Sequence, residues 1–178
     1  GGLAKFDGER FETFTRQDFG QPTDHVAGLA EDRRHRLWFS TLLGLGCFDG
    51  NRFESFPFGP DLKNTVCPIE FDDRDRSWLV SRDRDLWCFE RGRYRPARHF
   101  IRGLDSLKFS NLQWDPVRKR LWLTAFWGRN DREARLCYLN GDRCECLHAY
   151  PLPAGSLLRV EKKAGALLLR ETDAQGRV

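Results

Sequence analysis

An acidic residue is followed six or seven positions later by Trp or Leu inside an apolar run four times in this chain: Asp32 to Trp38, Asp72 to Trp78, Asp115 to Trp122 and Glu161 to Leu168. The Trp and Leu positions stand 40, 44 and 46 residues apart. Self-similarity at that period marks stacked architectures such as propellers, in which one supersecondary unit cannot bury its apolar face alone. Apolar or small residues also precede each acid by six and three positions: Val26 and Leu29, Val66 and Ile69, Phe109 and Leu112, Gly155 and Leu158. The chain reads as a repeat array.

A hairpin opens the chain, FDGERF (Phe6 to Phe11), and one follows each Trp: FDGNRF (Phe48 to Phe53), FERGRY (Phe89 to Tyr94) and, more loosely, YLNGDRC (Tyr138 to Cys144). In the first three, two aromatics five apart flank a two-residue turn, which predicts the cross-strand pairs Phe6–Phe11, Phe48–Phe53 and Phe89–Tyr94. The same register sets Asp7 opposite Arg10, Asp49 opposite Arg52 and Glu90 opposite Arg93, with Gly supplying the turn geometry.

One unit is thus four short strands, in the second copy Val26 to Ala30, Leu37 to Ser40, Leu45 to Phe48 and Arg52 to Phe56. No helix-length window keeps a 3.6-residue apolar period, so no helix is expected. A four-stranded unit of about 40 to 45 residues has the size of a propeller blade. The fold class expected is all-β, a propeller segment of antiparallel four-stranded blades with about four blade equivalents. Its parts are residues 1–15 as the last two strands of one blade, 26–56, 66–98 and 107–149 as blades, and 157–178 as the first strands of another. The last part can either pair near Leu3 to Thr15 and close a four-bladed ring, or leave an open arc with unpaired edges.

The pattern V-x-x-I-x-E-D, a short turn, L-W-x-x-T, then G-L-x-x-F-D-G-x-x-F resembles the two-component regulator propeller repeat. VAGLAEDRRHRLWFST with GLGCFDGNRF (Val26 to Phe53) and the opening GLAKFDGERF (Gly2 to Phe11) match it best. The third copy keeps Trp78 with Ser81 in the usual Thr place, the fourth keeps Trp122 and Thr124 ahead of an insertion, and the last has Leu168 for Trp. The resemblance implies the extracytoplasmic sensor region of a bacterial hybrid histidine kinase or related regulator, in a propeller of about seven blades. It implies a non-catalytic sensory module in a signalling protein whose kinase parts lie elsewhere. Some propellers with similar repeats are lyases using a His and an acid at the channel mouth; that enzymatic reading and a structural scaffold are the alternatives.

The residues themselves offer little chemistry. Repetition of Asp32, Asp72 and Asp115 argues for carboxylates that accept backbone hydrogen bonds in the turn before each Trp strand, not for acid–base catalysis. Trp38, Trp78 and Trp122 read as inter-blade packing. Phosphate loops, nucleophile elbows and kinase motifs are missing, no catalytic residue is assigned and no cofactor is expected. Cys47, Cys88 and Cys137 take one slot ahead of the third-strand aromatic and read as small apolar packing; an Asn140-Gly141 turn would set Cys137 opposite Cys144, a pair able to bridge in an oxidising compartment. The single Cys144-x-Cys146 and the scattered His25, His35, His99 and His148 give no metal-ligand spacing, so no metal site is expected.

The formal charge of +4 comes from mixed signs spread through turns, which argues against a nucleic-acid partner. The apolar runs are far shorter than the ~20 residues that span a bilayer, so this segment does not insert into a membrane. Binding remains. The stretch from Trp to the aligned Cys is nine residues from Trp38 to Cys47, ten from Trp78 to Cys88 and fifteen from Trp122 to Cys137. The expanded loop, Phe126 to Ala134, carries Trp127, Arg129 and Asn130, and Arg82 and Arg84 belong to the matching loop of the preceding unit. These five are the candidate ligand-binding residues, facing a small molecule, a glycan or a neighbouring domain of the parent sensor.

Overall fold

The computed structural model describes residues 1–62, 65, 68–127, 133–151, 157–163 and 166–172. They form three four-stranded antiparallel sheets and two two-stranded ones. Strands β1 (Leu3–Phe6) and β2 (Phe11–Phe14) pair alone. Strands β3 (Val26–Glu31), β4 (Leu37–Thr41), β5 (Gly44–Phe48) and β6 (Phe53–Pro57) form the first full sheet, in chain order. The second comprises β7 (Ile69–Phe71), β8 (Ser77–Val80), β9 (Leu86–Glu90) and β10 (Arg93–Pro96). The third holds β11 (Leu107–Asp115), β12 (Arg120–Trp127), β13 (Glu133–Asn140) and β14 (Arg143–Pro151), and β15 (Leu157–Lys163) pairs with β16 (Ala166–Thr172). Each sheet is a meander, as short hairpin connections dictate.

The register of the first three hairpins is the expected one. Phe6 pairs with Phe11, Phe48 with Phe53 and Phe89 with Tyr94, with ring centroids 4.6, 4.4 and 4.8 Å apart. The Asp7 and Asp49 amides donate to the carbonyls of Arg10 and Arg52. The turn glycines Gly8 and Gly50 stand at φ 107° and 98°, where a side chain would be strained.

Adjacent sheets bury their facing sides against one another. Trp38 packs forward onto Phe71 and Phe89 of the second sheet at 5.4 and 5.6 Å. Trp78 lies in one apolar cluster with Phe109, Leu112, Leu121 and Leu123 of the third sheet, and Trp122 in another with Tyr138 and Val160 of β15. All three indoles are buried, so the recurrent Trp is the wedge between successive sheets. The β1–β2 and β15–β16 pairs stay separate, with no ladder joining them; the described residues form an open arc, not the four-bladed ring.

Several local expectations are corrected. A single helical turn, α1 (Arg16–Phe19), stands where none is expected. The Asp18 carboxylate accepts from the Thr15 amide at 2.7 Å, and Phe19 packs into the first sheet against Phe39; four residues are too few to leave a periodic signal. The last hairpin turns at Gly141-Asp142, because Asn140 pairs with Arg143. That one-residue offset moves each partner by two: Cys137 faces Cys146, to which it is bridged, and Cys144 faces Leu139. Trp38 and Trp78 pair with Cys47 and Cys88, but Trp122 pairs with Tyr138. Cys137 therefore points to the opposite side of its sheet and does not share the slot of Cys47 and Cys88. Thr41 and Ser81 stand three residues after their Trp and close the following loops, Thr41 Oγ1 accepting from the Leu43 amide and Ser81 Oγ from that of Asp85. Thr124 sits one place earlier, and Ala125 fills the equivalent position. Without that hydroxyl the β12–β13 pairing runs on to Phe126–Ala134. Glu161 pairs directly with Leu168 inside the β15–β16 ladder, so the acid-in-turn relation ends with the third sheet.

Candidate functional site

The loop between β8 and β9, residues 81–85, closes as a hairpin around Arg82, Asp83 and Arg84. The Ser81 amide donates to the Asp85 carbonyl at 2.9 Å, and the Arg84 amide to the Ser81 carbonyl at 2.9 Å. Such loops place their last residue in the left-handed region, and Arg84 has φ 62°. From there its carbonyl accepts from the Phe109 amide of β11 at 2.7 Å. Its guanidinium lies 5.5 Å above the Phe126 ring of β12, a favourable cation–π position. One residue thus ties the second sheet to two strands of the third.

Beside this contact is a cleft of about 250 Å³, walled by Asp85, Leu86, Pro96, Arg98 and residues 104–109. Three of its charged groups are paired: Asp85 accepts from Lys108 Nζ at 2.8 Å and faces Arg98 Nη1 at 3.8 Å. Ser106 holds φ 64° in the approach to β11, a conformation L-residues adopt only under constraint. The lining mixes the apolar Leu86, Pro96, Leu104, Leu107 and Phe109 with the polar or charged Asp85, Arg98, Asp105, Ser106 and Lys108.

Among the five candidate residues, Arg84 contacts Phe126 as described. Arg82 is exposed, with its amide donating to Thr65 Oγ1 at 3.3 Å. Trp127 ends β12 on the rung of Leu107, a cleft residue. Arg129 and Asn130 lie outside the described residues. Sequence reasoning missed Asp85, Arg98 and Lys108. Arg98 stands in a connection that follows no repeat, and the pairing of Lys108 with Asp85 joins positions 23 apart, so neither carries a periodic signal.

The recurrent acids serve the turns at the other end of the sheets. Asp32 accepts from the Arg34 and Arg36 amides at 2.9 and 3.0 Å, from Arg36 Nε at 2.7 Å and from Trp38 Nε1 at 2.8 Å. Asp72 repeats the set with Arg74, Arg76 and Trp78 at 2.9, 3.0, 2.7 and 2.9 Å. Burial pushes the Asp32 carboxyl up, but the Trp38 indole and the Arg36 amide and guanidinium outweigh it and hold the group below its usual value. Asp115 accepts from the Val117 and Arg118 amides. Its turn is one residue longer, and Trp122 Nε1 stays near enough to favour the charged carboxylate without completing a hydrogen bond of normal geometry. The contact of His35 with Glu31 belongs to the same end of the array, and both side chains are exposed. It lies away from the cleft and has no walls to exclude water.

No protein-family model matches the chain, and no curated protein matches it in sequence. Among solved structures it is similar to the extracellular domain of a hybrid two-component system from B. thetaiotaomicron. There 83% of this chain covers 19% of that one, with TM-score 0.59 and 15% identity. The extracellular domain of a second such system from the same organism is matched by 91% of this chain over 23% of its own length, with TM-score 0.57 and 16% identity. A catalytically inactive virginiamycin B lyase from Staphylococcus aureus, solved with quinupristin, is matched by 85% of this chain over 53% of its own, with TM-score 0.54 and 12% identity. At these identities the likeness shows the fold, a β-propeller arrangement of four-stranded blades. The chain spans about a fifth of the length of the two-component domains.

Proposed function

We propose that this chain is a segment of a sensory propeller in a bacterial two-component signalling protein, standing on the extracytoplasmic side of the membrane, and that it binds rather than catalyses. The observation that carries this reading is the shared fold with two extracellular domains of hybrid two-component systems over most of the chain. The acid–Arg–Trp turns agree with it, since their carboxylates are saturated by hydrogen bonds and hold the scaffold rigid. Among the described residues no helix is long and apolar enough to cross a membrane, so in this reading the anchor and kinase belong to other parts of the parent.

The binding surface in this reading is the cleft beside Arg84, and Arg82, Trp127, Arg129 and Asn130 stay proposed ligand-binding residues from the sequence. The apolar walls of the cleft, with Arg98 and Lys108 in the lining and Arg84 beside it, suit a small molecule or glycan carrying an anionic group, or a loop of a neighbouring domain. A ligand shifts a signalling equilibrium only by the difference of its affinities for two states, and a cleft between two sheets is sensitive to small changes in their spacing. The test is a thermal-shift screen of acidic sugars and small carboxylates against the chain, repeated with Lys108→Ala. A ligand stabilising the chain but not the variant supports the reading. Turnover of a screened compound would move the protein to the lyase-like alternative.

A further inference from the structure

Three sulfurs meet on one face of the third sheet. Strand β13 runs in unbroken register along β12 from Leu121–Leu139 to Phe126–Ala134, so Cys137 and Leu139 share a face. Across the β13–β14 hairpin Cys146 is the partner of Cys137 and Cys144 the partner of Leu139, which brings all three cysteines to that face. Their Sγ atoms lie within 4.8 Å of one another. Cys137 and Cys146 are bridged and Cys144 is a free thiol. The first is fully buried, Cys144 nearly so, and Cys146 is exposed.

The surroundings hold this cluster in place. Ile101, Leu104 and Ala125 pack in the same apolar cluster as Cys137 and Cys144. The segment 101–104 is strapped along β14: the Arg102 amide donates to the Asp142 carbonyl at 2.7 Å and the Cys144 amide to the Arg102 carbonyl at 2.8 Å. Gly103 stands at φ +81°, and a Cβ there would lie 2.9 Å from the Cys144 carbonyl oxygen, so only glycine lets the strap lie this close. The backbone of the middle cysteine is thereby fixed from both sides.

We infer that the reduced cluster binds one soft monovalent cation, Cu(I), through the sulfurs of Cys137, Cys144 and Cys146. Two electrons from an external dithiol open the bridge; the dithiol leaves as its disulfide, and Cys137 and Cys146 become thiols. Binding then displaces the thiol protons as the Cu–S bonds form. Soft thiolates select Cu(I) and zinc over harder ions. A closed zinc site takes four ligands, whereas among the described residues the cluster numbers three, all sulfur, a set that completes a trigonal Cu(I) site. The exposed Cys146 gives an incoming copper carrier its first contact. Neither the Cys-x-Cys spacing nor the isolated Cys137 shows this alone; the register of the hairpin does.

The experiment delivers Cu(I) anaerobically to the oxidised and the dithiol-reduced chain with bathocuproine disulfonate as competitor, and counts the copper retained after desalting. The reduced chain is expected to retain one copper per molecule, with sulfur-only ligation by X-ray absorption, and the oxidised chain none. Cys146→Ser, a substitution at an exposed position, is expected to lose the copper, while Cys47→Ser and Cys88→Ser keep it. Retention by the reduced chain no higher than by the oxidised one overturns the assignment. So does loss on Cys47→Ser or Cys88→Ser but not on Cys146→Ser, or a circular dichroism spectrum showing that reduction itself unfolds the chain.

Discussion

Trp78 donates its Nε1–H to Asp72 Oδ2 at 2.9 Å from a ring that is 1% exposed. Arg76 binds the same oxygen through Nε at 2.7 Å and lays its guanidinium 5.0 Å from the centre of the Trp78 ring. One carboxylate therefore closes the β7–β8 turn, neutralises an arginine and fixes the orientation of the indole wedged between two sheets. Asp32, Arg36 and Trp38 repeat the device one sheet earlier. Turn closure and inter-sheet packing are the same interaction.

Asp72→Ala leaves two amides, an indole N–H and a partly buried guanidinium without their acceptor. Breaking a buried charged pair by removing one partner costs about 3–5 kcal/mol, and Trp78→Ala belongs to the same range of about 3–5 kcal/mol. Asp115→Ala is expected to cost less, about 1–2 kcal/mol, because Arg118 is largely exposed and Trp122 has no full hydrogen bond to lose. Urea unfolding of the three variants measures the order; equal losses at Asp72 and Asp115 would contradict the triad argument.

Acid should expose the Asp32 contribution. Its folded carboxyl lies below the ordinary aspartate value of 3.8, so the stability it adds is present above that value and is lost as pH falls through the lower, folded value. Asp32→Asn removes the titrating group. The variant is expected to start less stable at neutral pH and to lose less than the parent on going to about pH 3, measured as urea midpoints at the two values. A parallel loss in both proteins would assign the acid sensitivity to other groups.

The periodic features were legible and the aperiodic ones were not. Aromatic pairs around Gly8, Gly50 and Gly92 specify register because a two-residue turn leaves one pairing per hairpin, and the Trp period exposes the inter-sheet wedge. Arg36 and Arg76 recur at the same place, yet an arginine before an apolar strand reads as solvated unless its carboxylate is known to be buried. In the last hairpin Asn140, Gly141 and Asp142 are all turn formers, so turn chemistry left two registers open, and only the folded pairing separates Cys146 from Cys144 as the partner of Cys137. The cleft pairs Lys108 with Asp85 across two sheets, a contact with no sequence period to betray it.

Gly46 is expected to be intolerant of any side chain. It pairs with Phe39, and a Cβ at this position would stand 2.1 Å from Phe39 Cζ. Phe39 is fully buried against Phe19 and Phe53, so the ring has no free space to enter. Overpacking of this kind costs about 1–3 kcal/mol. Gly46→Ala should lower the unfolding midpoint accordingly, and Gly50→Ala, which meets no atom within 4 Å, should be destabilised only by its φ of 98°.

Burial pushes the thiols of Cys47 and Cys144 up to about 11 and that of Cys88 up to about 12. Raised folded values stabilise the protein below the unfolded thiol value of 9.0 and lose that contribution as pH rises through the folded ones. At neutral pH the thiolate, the reactive species, is scarce. Maleimide is therefore expected to label none of the three in the native chain and all three after urea unfolding. Labelling of Cys88 in the native chain at neutral pH would show that the second and third sheets separate.

Arg84 gives the sharpest probe of the cleft, because its backbone and side chain do separate work. The backbone sits at φ 62° and its carbonyl holds the Phe109 amide, so alanine would keep the strain while removing the guanidinium. Arg84→Gly keeps the carbonyl and relaxes the left-handed residue; glycine is favoured over an L-residue there by about 1–2 kcal/mol, which offsets the lost contact with Phe126. The variant is expected to unfold at nearly the parental urea concentration. Any ligand found for the cleft should bind it at least about tenfold more weakly, equivalent to a lost charge-assisted hydrogen bond. Unchanged affinity in a folded Arg84→Gly chain would remove Arg84 from the binding surface and leave it as the tie between the second and third sheets.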